Sequence, residues 1–217
     1  MSELRADRVT VILGGVRVLW GVDAAARSGA SLAVTGPAGA GKTTLLHVMG
    51  GFIRPRSGRV TLDGAELAGR LPGLGFVPQT FGLAEALTVR ENVSLPLRIR
   101  QSVEDVTPAA EVMARTDEIL ERLGLDTVSS QLPSELSGGQ QQRAAVARAL
   151  VGRPRIVIAD EPTAELDADN RDLAMELILS ACAWEAIVVV ASHDDEVVSR
   201  CDSLLRLADG SVAGEAP

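Results

Sequence analysis

The sequence predicts an α/β fold with a parallel-rich core sheet, an N-terminal antiparallel β subdomain and an inserted helical subdomain. Three observations lead there. Short apolar strands alternate with helices along the chain. Two strands flank Gly14-Gly15 near the N-terminus, a hairpin signal. Between residues 80 and 150 the apolar spacing becomes helical. The 217 residues suffice for one domain that buries its own core without a metal or disulfide staple. Residues 1–79 and 151–217 are read as the α/β body with its β subdomain, and 80–150 as the insert.

Each element has its own signal. Val9–Leu13 and Val16–Trp20 read as the hairpin strands, and Ser31–Thr35 as a short apolar strand running into a glycine-rich loop. Lys42–Met49 reads as a helix ended by Gly50-Gly51, and Gly58–Leu62 and Gly75–Val77 as strands. Thr88 with Glu91 three residues on is a capping box that opens a helix. Val103–Pro108 reads as an acidic surface loop. Val112, Thr116, Ile119, Leu120 and Leu123 recur at helical spacing up to Gly124. Gln141–Val151 reads as helix, and Ile156–Ala159 and Ile187–Ala191 as buried strands. Leu204–Leu207 and Ser211–Ala213 flank Asp209-Gly210, a type I′ hairpin signal.

Composition excludes several classes. Apolar residues make up 46% and charged residues 23%, a globular balance. The longest apolar run, Ala186–Ala191, is six residues, against about 20 for a membrane span. The N-terminus lacks a charged-then-apolar leader pattern, so the protein is expected in the cytosol. The net charge of −8 disfavours a nucleic-acid partner, which normally meets a basic face. Cys182 and Cys201 match no metal or redox spacing and are expected as small buried thiols. All but one of the 21 basic residues are arginine; the exception, Lys42, marks a place that requires a compact ammonium.

That lysine lies in Gly36-Pro37-Ala38-Gly39-Ala40-Gly41-Lys42-Thr43, which fits G-x-x-x-x-G-K-[ST] between a strand and a helix. Glycines let backbone N–H groups turn inward around phosphate oxygens, and the helix N-terminus adds partial positive charge. Lys42 can reach the β- and γ-phosphates, and the Thr43 hydroxyl can sit on Mg²⁺. The motif alone says P-loop nucleotide enzyme. Ile156-Val157-Ile158-Ala159-Asp160-Glu161 is a buried strand ending in two carboxylates, at the sheet edge where such folds bind ligands. Asp160 is suited to Mg²⁺. Glu161, expected on the opposite side by strand alternation, is suited to orient or deprotonate the water that attacks the γ-phosphate. Leu136-Ser137-Gly138-Gly139-Gln140 precedes a helix. Its physical logic is a second anion site, although Ser-Gly-Gly also suits a plain N-cap.

Together these residues resemble the ATP-binding cassette family of transporter ATPases, in the family's order and over nearly the whole chain. The resemblance implies a P-loop NTPase (RecA-like) core that is a Mg²⁺-dependent ATPase. It implies that residues 36–43 and Thr44 bind ATP. Residues 136–140 match the signature motif, which meets the ATP of a second copy through Ser137 and Gly139. Gln79, in Val77-Pro78-Gln79, resembles the lid glutamine, and His193, in Ala191-Ser192-His193-Asp194, the switch histidine. Glu161, His193 and Gln79 are thereby implied as catalytic, and Thr43, Gln79 and Asp160 as Mg²⁺ ligands. Ala164-Glu165-Leu166-Asp167 resembles the D-loop, with Asp167 as its matching acid. His47, inside the P-loop helix, is read as structural.

A narrower similarity is to the subfamily of lipoprotein-release, macrolide-export and cell-division ATPases. It rests on Leu45–Gly51, Gly75–Gln79, Leu87–Val93 and Gln140–Arg143. The implied partners are a second copy, sandwiching two ATP, and a separate membrane permease of export or force-transmitting type. The implied location is peripheral, on the inner face of the cell membrane. Phe81 and Leu83 are candidate permease contacts, or packing at the lobe joint. The alternative is a soluble cassette ATPase of DNA repair or translation. Repair versions have a longer P-loop-to-signature interval, and translation versions have two cassettes. The sequence departs from the family in two places: Glu165 puts a charge in the D-loop stretch where the family often has Asn or a small residue, and the first strand lacks its aromatic. Leu13 aligns with the adenine-stacking aromatic, there is no tyrosine, and alternation aims Trp20 at the other face.

Overall fold

The computed structural model describes residues 1–67, 69, 71, 73–104, 108–164 and 166–213. The chain begins with β1 (Glu3–Leu13), β2 (Val16–Arg27) and β3 (Ser31–Thr35), followed by α1 (Lys42–Met49). Next come β4 (Ser57–Leu62), β5 (Ala65–Glu66) and β6 (Leu74–Val77). The insert carries α2 (Val89–Glu104), α3 (Ala109–Arg122) and α4 (Gly138–Leu150). The body resumes with β7 (Ile156–Asp160), α5 (Ala168–Ser180), β8 (Ile187–Ala191), α6 (Asp195–Ser199), β9 (Ser203–Ala208) and β10 (Ser211–Val212).

Two sheets result. One is antiparallel in the order β2-β1-β4-β5, and the other runs β10-β9-β3-β8-β7-β6, parallel except for the β10–β9 hairpin. The parallel strands are buried on both faces, so their alternation feeds two cores. Ile156 and Ile158 of β7 join α1 and the antiparallel sheet, while Val157 and Ala159 join the helices of the insert and α5. β8 divides likewise, with Val189 on one side and Val188 and Val190 on the other.

Several boundaries differ from the sequence reading. Both hairpin strands are longer, because Leu4 and Ala6 are buried while Arg5 is exposed, an alternation that the polar residues obscure. α2 continues through Glu104, so Val103 and Glu104 of the expected loop end a helix; residues 105–107 lie outside the described residues. α4 starts at Gly138, three residues early, because Ser137 and Gln140 close a capping box around its first turn. The Thr88–Glu91 box forms as expected, with the Thr88 N–H donating to Glu91 Oε2 at 2.9 Å. Gly124, φ 59°, ends α3, and Asp209-Gly210 turns with both φ positive.

Candidate active site

The P-loop is shaped from three sides. Gly36 passes so close to β9 that a Cβ there would meet the Leu207 carbonyl oxygen at 2.2 Å. Gly41 takes φ 97°, and a Cβ would lie 2.6 Å from Leu19. Only glycine satisfies both positions. The register of β1 on β2 skips Val18, since Val11 faces Leu19 and Ile12 faces Arg17. This bulge brings Val18 to the P-loop. A cleft of about 670 Å³ opens there, lined by Val18, residues 37–44, Gln79, Glu161, Ala164 and His193.

Lys42 Nζ donates to the Gly36 carbonyl at 2.9 Å and lies 3.9 Å from Glu161 Oε1. The other Glu161 contacts are His193 Nδ1, at 2.9 Å from Oε1, and the Ser192 hydroxyl, which donates to Oε2 at 3.4 Å. Asp160 and Glu161 are both buried. Asp160 Oδ1 is buried with no hydrogen-bond partner. Burial pushes the Asp160 carboxyl above the usual carboxylate range and the Glu161 charge adds to this, while Thr43, His47 and Lys42 pull it back.

The expected separation of the two acids to opposite faces does not occur. Asp160 is the last residue of β7, and Glu161 turns out of the strand with φ 46°, its N–H donating to the Ala191 carbonyl. That left-handed step ends the alternation, so both carboxylates face the P-loop helix.

Gln79 is exposed at the mouth of the cleft. Residues 136–140 lie elsewhere: none lines the P-loop cleft. Ser137 is the N-cap of α4, accepting from the Gln140 N–H at 3.2 Å and giving its own N–H to Gln140 Oε1 at 2.9 Å. Ser137 is exposed and Gly138 and Gly139 are half-buried, while Leu136 is buried. Asp167 caps α5, accepting from the Asn170 backbone N–H at 2.9 Å, which holds its carboxyl below the usual range. Glu165 lies outside the described residues.

A family model described as "ABC transporter" matches residues 19–164. The chain belongs to the ABC transporter family. It is an ATP-binding and ATP-hydrolysing transporter subunit, and the non-transport alternative is not favoured. The chain is 37% identical over 209 residues to the ABC transporter ATP-binding protein YtrE of Bacillus subtilis, covering 92% of this chain and 88% of that protein. It is 38% identical over 208 residues to the lipoprotein-releasing system ATP-binding protein LolD 1 of Rhodopseudomonas palustris, covering 91% and 90%. The dimeric post-hydrolysis structure of the ATP-binding cassette MJ0796, bound to ADP and Pi, superposes with a TM-score of 0.88 at 32% identity, covering 98% and 97%.

The cassette holds features that the sequence reading missed. Val18 enters the cleft through a bulge that no residue pattern announces. Ser192 touches the catalytic candidate because it ends a buried strand beside β7. Gln142 is buried and donates to the Pro162 carbonyl at 2.7 Å; its place at the end of the Gln140–Gln142 run was the only available signal. Trp20 is outside the cleft lining and carries Arg17 stacked 3.3 Å from its ring centroid. Phe81 and Leu83 pack against the helical core. His47 sits against Phe52 and Phe76, with centroids 5.8 and 5.6 Å away.

Proposed function

We propose that two copies of this cassette close head to tail around two ATP molecules and drive a separate membrane permease of the export or force-transmitting type. The carrying observation is that residues 136–140, with Ser137 exposed at the N-terminus of α4, are absent from the P-loop cleft lining of their own chain. A second copy completes the site. The dimeric MJ0796 cassette supports this arrangement.

In this reading residues 36–44 hold the phosphates, with Lys42 on the β- and γ-oxygens, and Ser137 and Gly139 of the other copy cover the γ-phosphate. Thr43, Gln79 and Asp160 would hold Mg²⁺. The orphaned Asp160 Oδ1 suits a hard cation with oxygen ligands, and the ion would supply charge neutralisation at the phosphates. Glu161 takes the proton of the attacking water. The new bond forms to the γ-phosphorus, the β–γ bridging bond breaks, and ADP and phosphate result. His193 holds Glu161 and faces the γ-phosphate, while Gln79 reports on it to residues 80–150. Asp167 meets the other copy.

Residues 1–79 and 151–217 act as the nucleotide lobe and 80–150 as the lobe that carries the signature. A groove of about 700 Å³ lies where they join, lined by Phe52, Leu71, Phe76, Pro96, Ile99 and Arg148 among others. Its apolar floor suits an amphipathic cytoplasmic helix of the permease. Among the described residues no helix is long and apolar enough to cross a membrane. Binding to the permease would place the cassette on the inner face of the membrane. The names of the relatives, above all the lipoprotein-releasing system, favour export or force transmission over uptake.

The test is affinity capture of the Glu161→Gln variant with ATP in mild detergent, followed by mass spectrometry. A co-purifying protein with few spans and a large outer domain supports the proposal. A many-spanning partner redirects it to ordinary transport, and a soluble partner or none overturns the permease assignment.

A further inference from the structure

The loop after β7 sets where the Glu161 carboxylate stands. Glu161 holds φ 46°, a backbone state that side-chain-bearing residues adopt only when the surroundings impose it. Two backbone hydrogen bonds do part of this: Glu161 N–H to the Ala191 carbonyl at 2.9 Å, and Ala164 N–H to the Glu161 carbonyl at 3.3 Å. The next carbonyl, that of buried Pro162, accepts from Gln142 Nε2 at 2.7 Å. Gln142 is 1% exposed, so water cannot replace it, and the Pro162 carbonyl depends on this donor. Gln142 belongs to α4, the helix whose N-cap is Ser137. It follows that cap by five residues, roughly 7 Å along the axis. Ala144, Ala145, Val146 and Ala147 bury the middle of α4 completely, so the helix is clamped over the stretch that follows Gln142.

We infer that Gln142 is a positioning residue that couples the two ATP sites. Resting on the head-to-tail reading above, Ser137 of a copy touches the ATP in the P-loop of the other copy, and any displacement of the α4 N-terminus is carried to Pro162 and so to that copy's own Glu161. One site's occupancy thereby aligns the general base of the other. The responding part is the first turn of α4, ahead of the clamped stretch, the link is a single side-chain amide, and no step of the chemistry passes through Gln142 itself.

Two variants test this in the full chain. Gln142→Met keeps the side-chain length and removes the donor. Its hydrolysis rate per occluded ATP, counted by rapid filtration with labelled ATP, is expected to fall about tenfold. Half-saturation by ATP should stay within about twofold, and the Hill coefficient should fall toward one. Gln142→Glu keeps the shape; ionised it has no donor, and protonated its O–H can donate to Pro162. Its rate relative to the parent chain should therefore rise as the pH is lowered from about 8 to about 6. An unchanged rate per occluded ATP in Gln142→Met, or a loss of rate only in proportion to lost occlusion, overturns the coupling. A Gln142→Glu rate relative to the parent that falls as the pH is lowered does the same. Failure of the Glu161→Gln chain to dimerise with ATP defeats the sandwich reading first, and is seen without any Gln142 variant.

Discussion

His193 Nδ1 lies 2.9 Å from Glu161 Oε1, joining the ends of two adjacent parallel strands across the mouth of the P-loop cleft. The His193 side chain is 72% exposed and that of Glu161 only 10%. The imidazole is thus a wet cap over a buried carboxylate, and it fixes which way that carboxylate faces. Glu161→Gln should lower kcat at least about 100-fold, and ATP should hold the variant as a dimer in size-exclusion chromatography. His193→Ala should lower kcat by about 10- to 100-fold. Adding it to Glu161→Gln should cost almost nothing more, since the two act as one unit. Additive losses in that double variant would show that they work independently.

Asp160 carries a stability cost. Its carboxyl is buried with an orphaned oxygen, and its proton affinity is raised in the folded chain. A raised pKa means that the folded state binds the proton more tightly than the unfolded state. Stability from this group is therefore full below about pH 4 and declines as the pH rises through the raised value. Asp160→Asn should raise the melting temperature of the nucleotide-free chain at neutral pH by about 2–4 °C, the equivalent of about 1 kcal/mol in a domain of this size. The gain should shrink toward pH 4, and Mg²⁺-dependent hydrolysis should be lost. Calorimetry across pH checks this; a gain independent of pH would remove the ionisation argument.

The groove makes a separable prediction. Ile99 on α2 is 54% exposed and lines the apolar groove, away from the P-loop cleft. Ile99→Asp should leave hydrolysis by the isolated cassette within about twofold while cutting recovery of the membrane partner at least about tenfold. Undiminished capture would move the docking site elsewhere.

Base recognition should be loose. The residues lining the cleft include no Phe, Trp or Tyr, and Trp20 is engaged by Arg17. A missing base–aromatic stack is worth about 1–3 kcal/mol. GTP should therefore be hydrolysed with a kcat/KM within about tenfold of that for ATP. A strong preference for ATP in the parent chain would count against phosphate-dominated binding.

How much was legible in the residues follows from how local each cause is. The P-loop strand, glycines and helix were readable because the G-x-x-x-x-G-K-[ST] pattern occupies eight consecutive residues, even though Gly36 and Gly41 meet Leu207 and Leu19 only across the fold. The Thr88–Glu91 cap was readable because its partners are three positions apart. The end of α2 at Glu104 was not, since a charged run reads as a loop unless the packing of the preceding turns is known. The early start of α4 was missed for the opposite reason. Ser-Gly-Gly suits an N-cap, but glycines are poor helix formers, and the reciprocal Ser137–Gln140 bonds are what hold them in the first turn.

The sequence by itself determined the fold class, the order of the motifs and the chemistry of the phosphate loop, because strand and helix periodicity and glycine sterics act along the chain. Tertiary structure alone decided the rest. Glu161 joins Asp160 at the P-loop through a left-handed step held by Ala191 on a neighbouring strand. Val18 reaches the cleft through a bulge between strands, and Phe81 and Leu83 pack inward while Phe52, Phe76 and Ile99 line the groove. Gln142 acquires its partner twenty residues away in the chain. Each of these depends on which distant backbone atom lies within about 3 Å of a side chain, and hydrogen-bond reach in space leaves no periodic trace in a sequence.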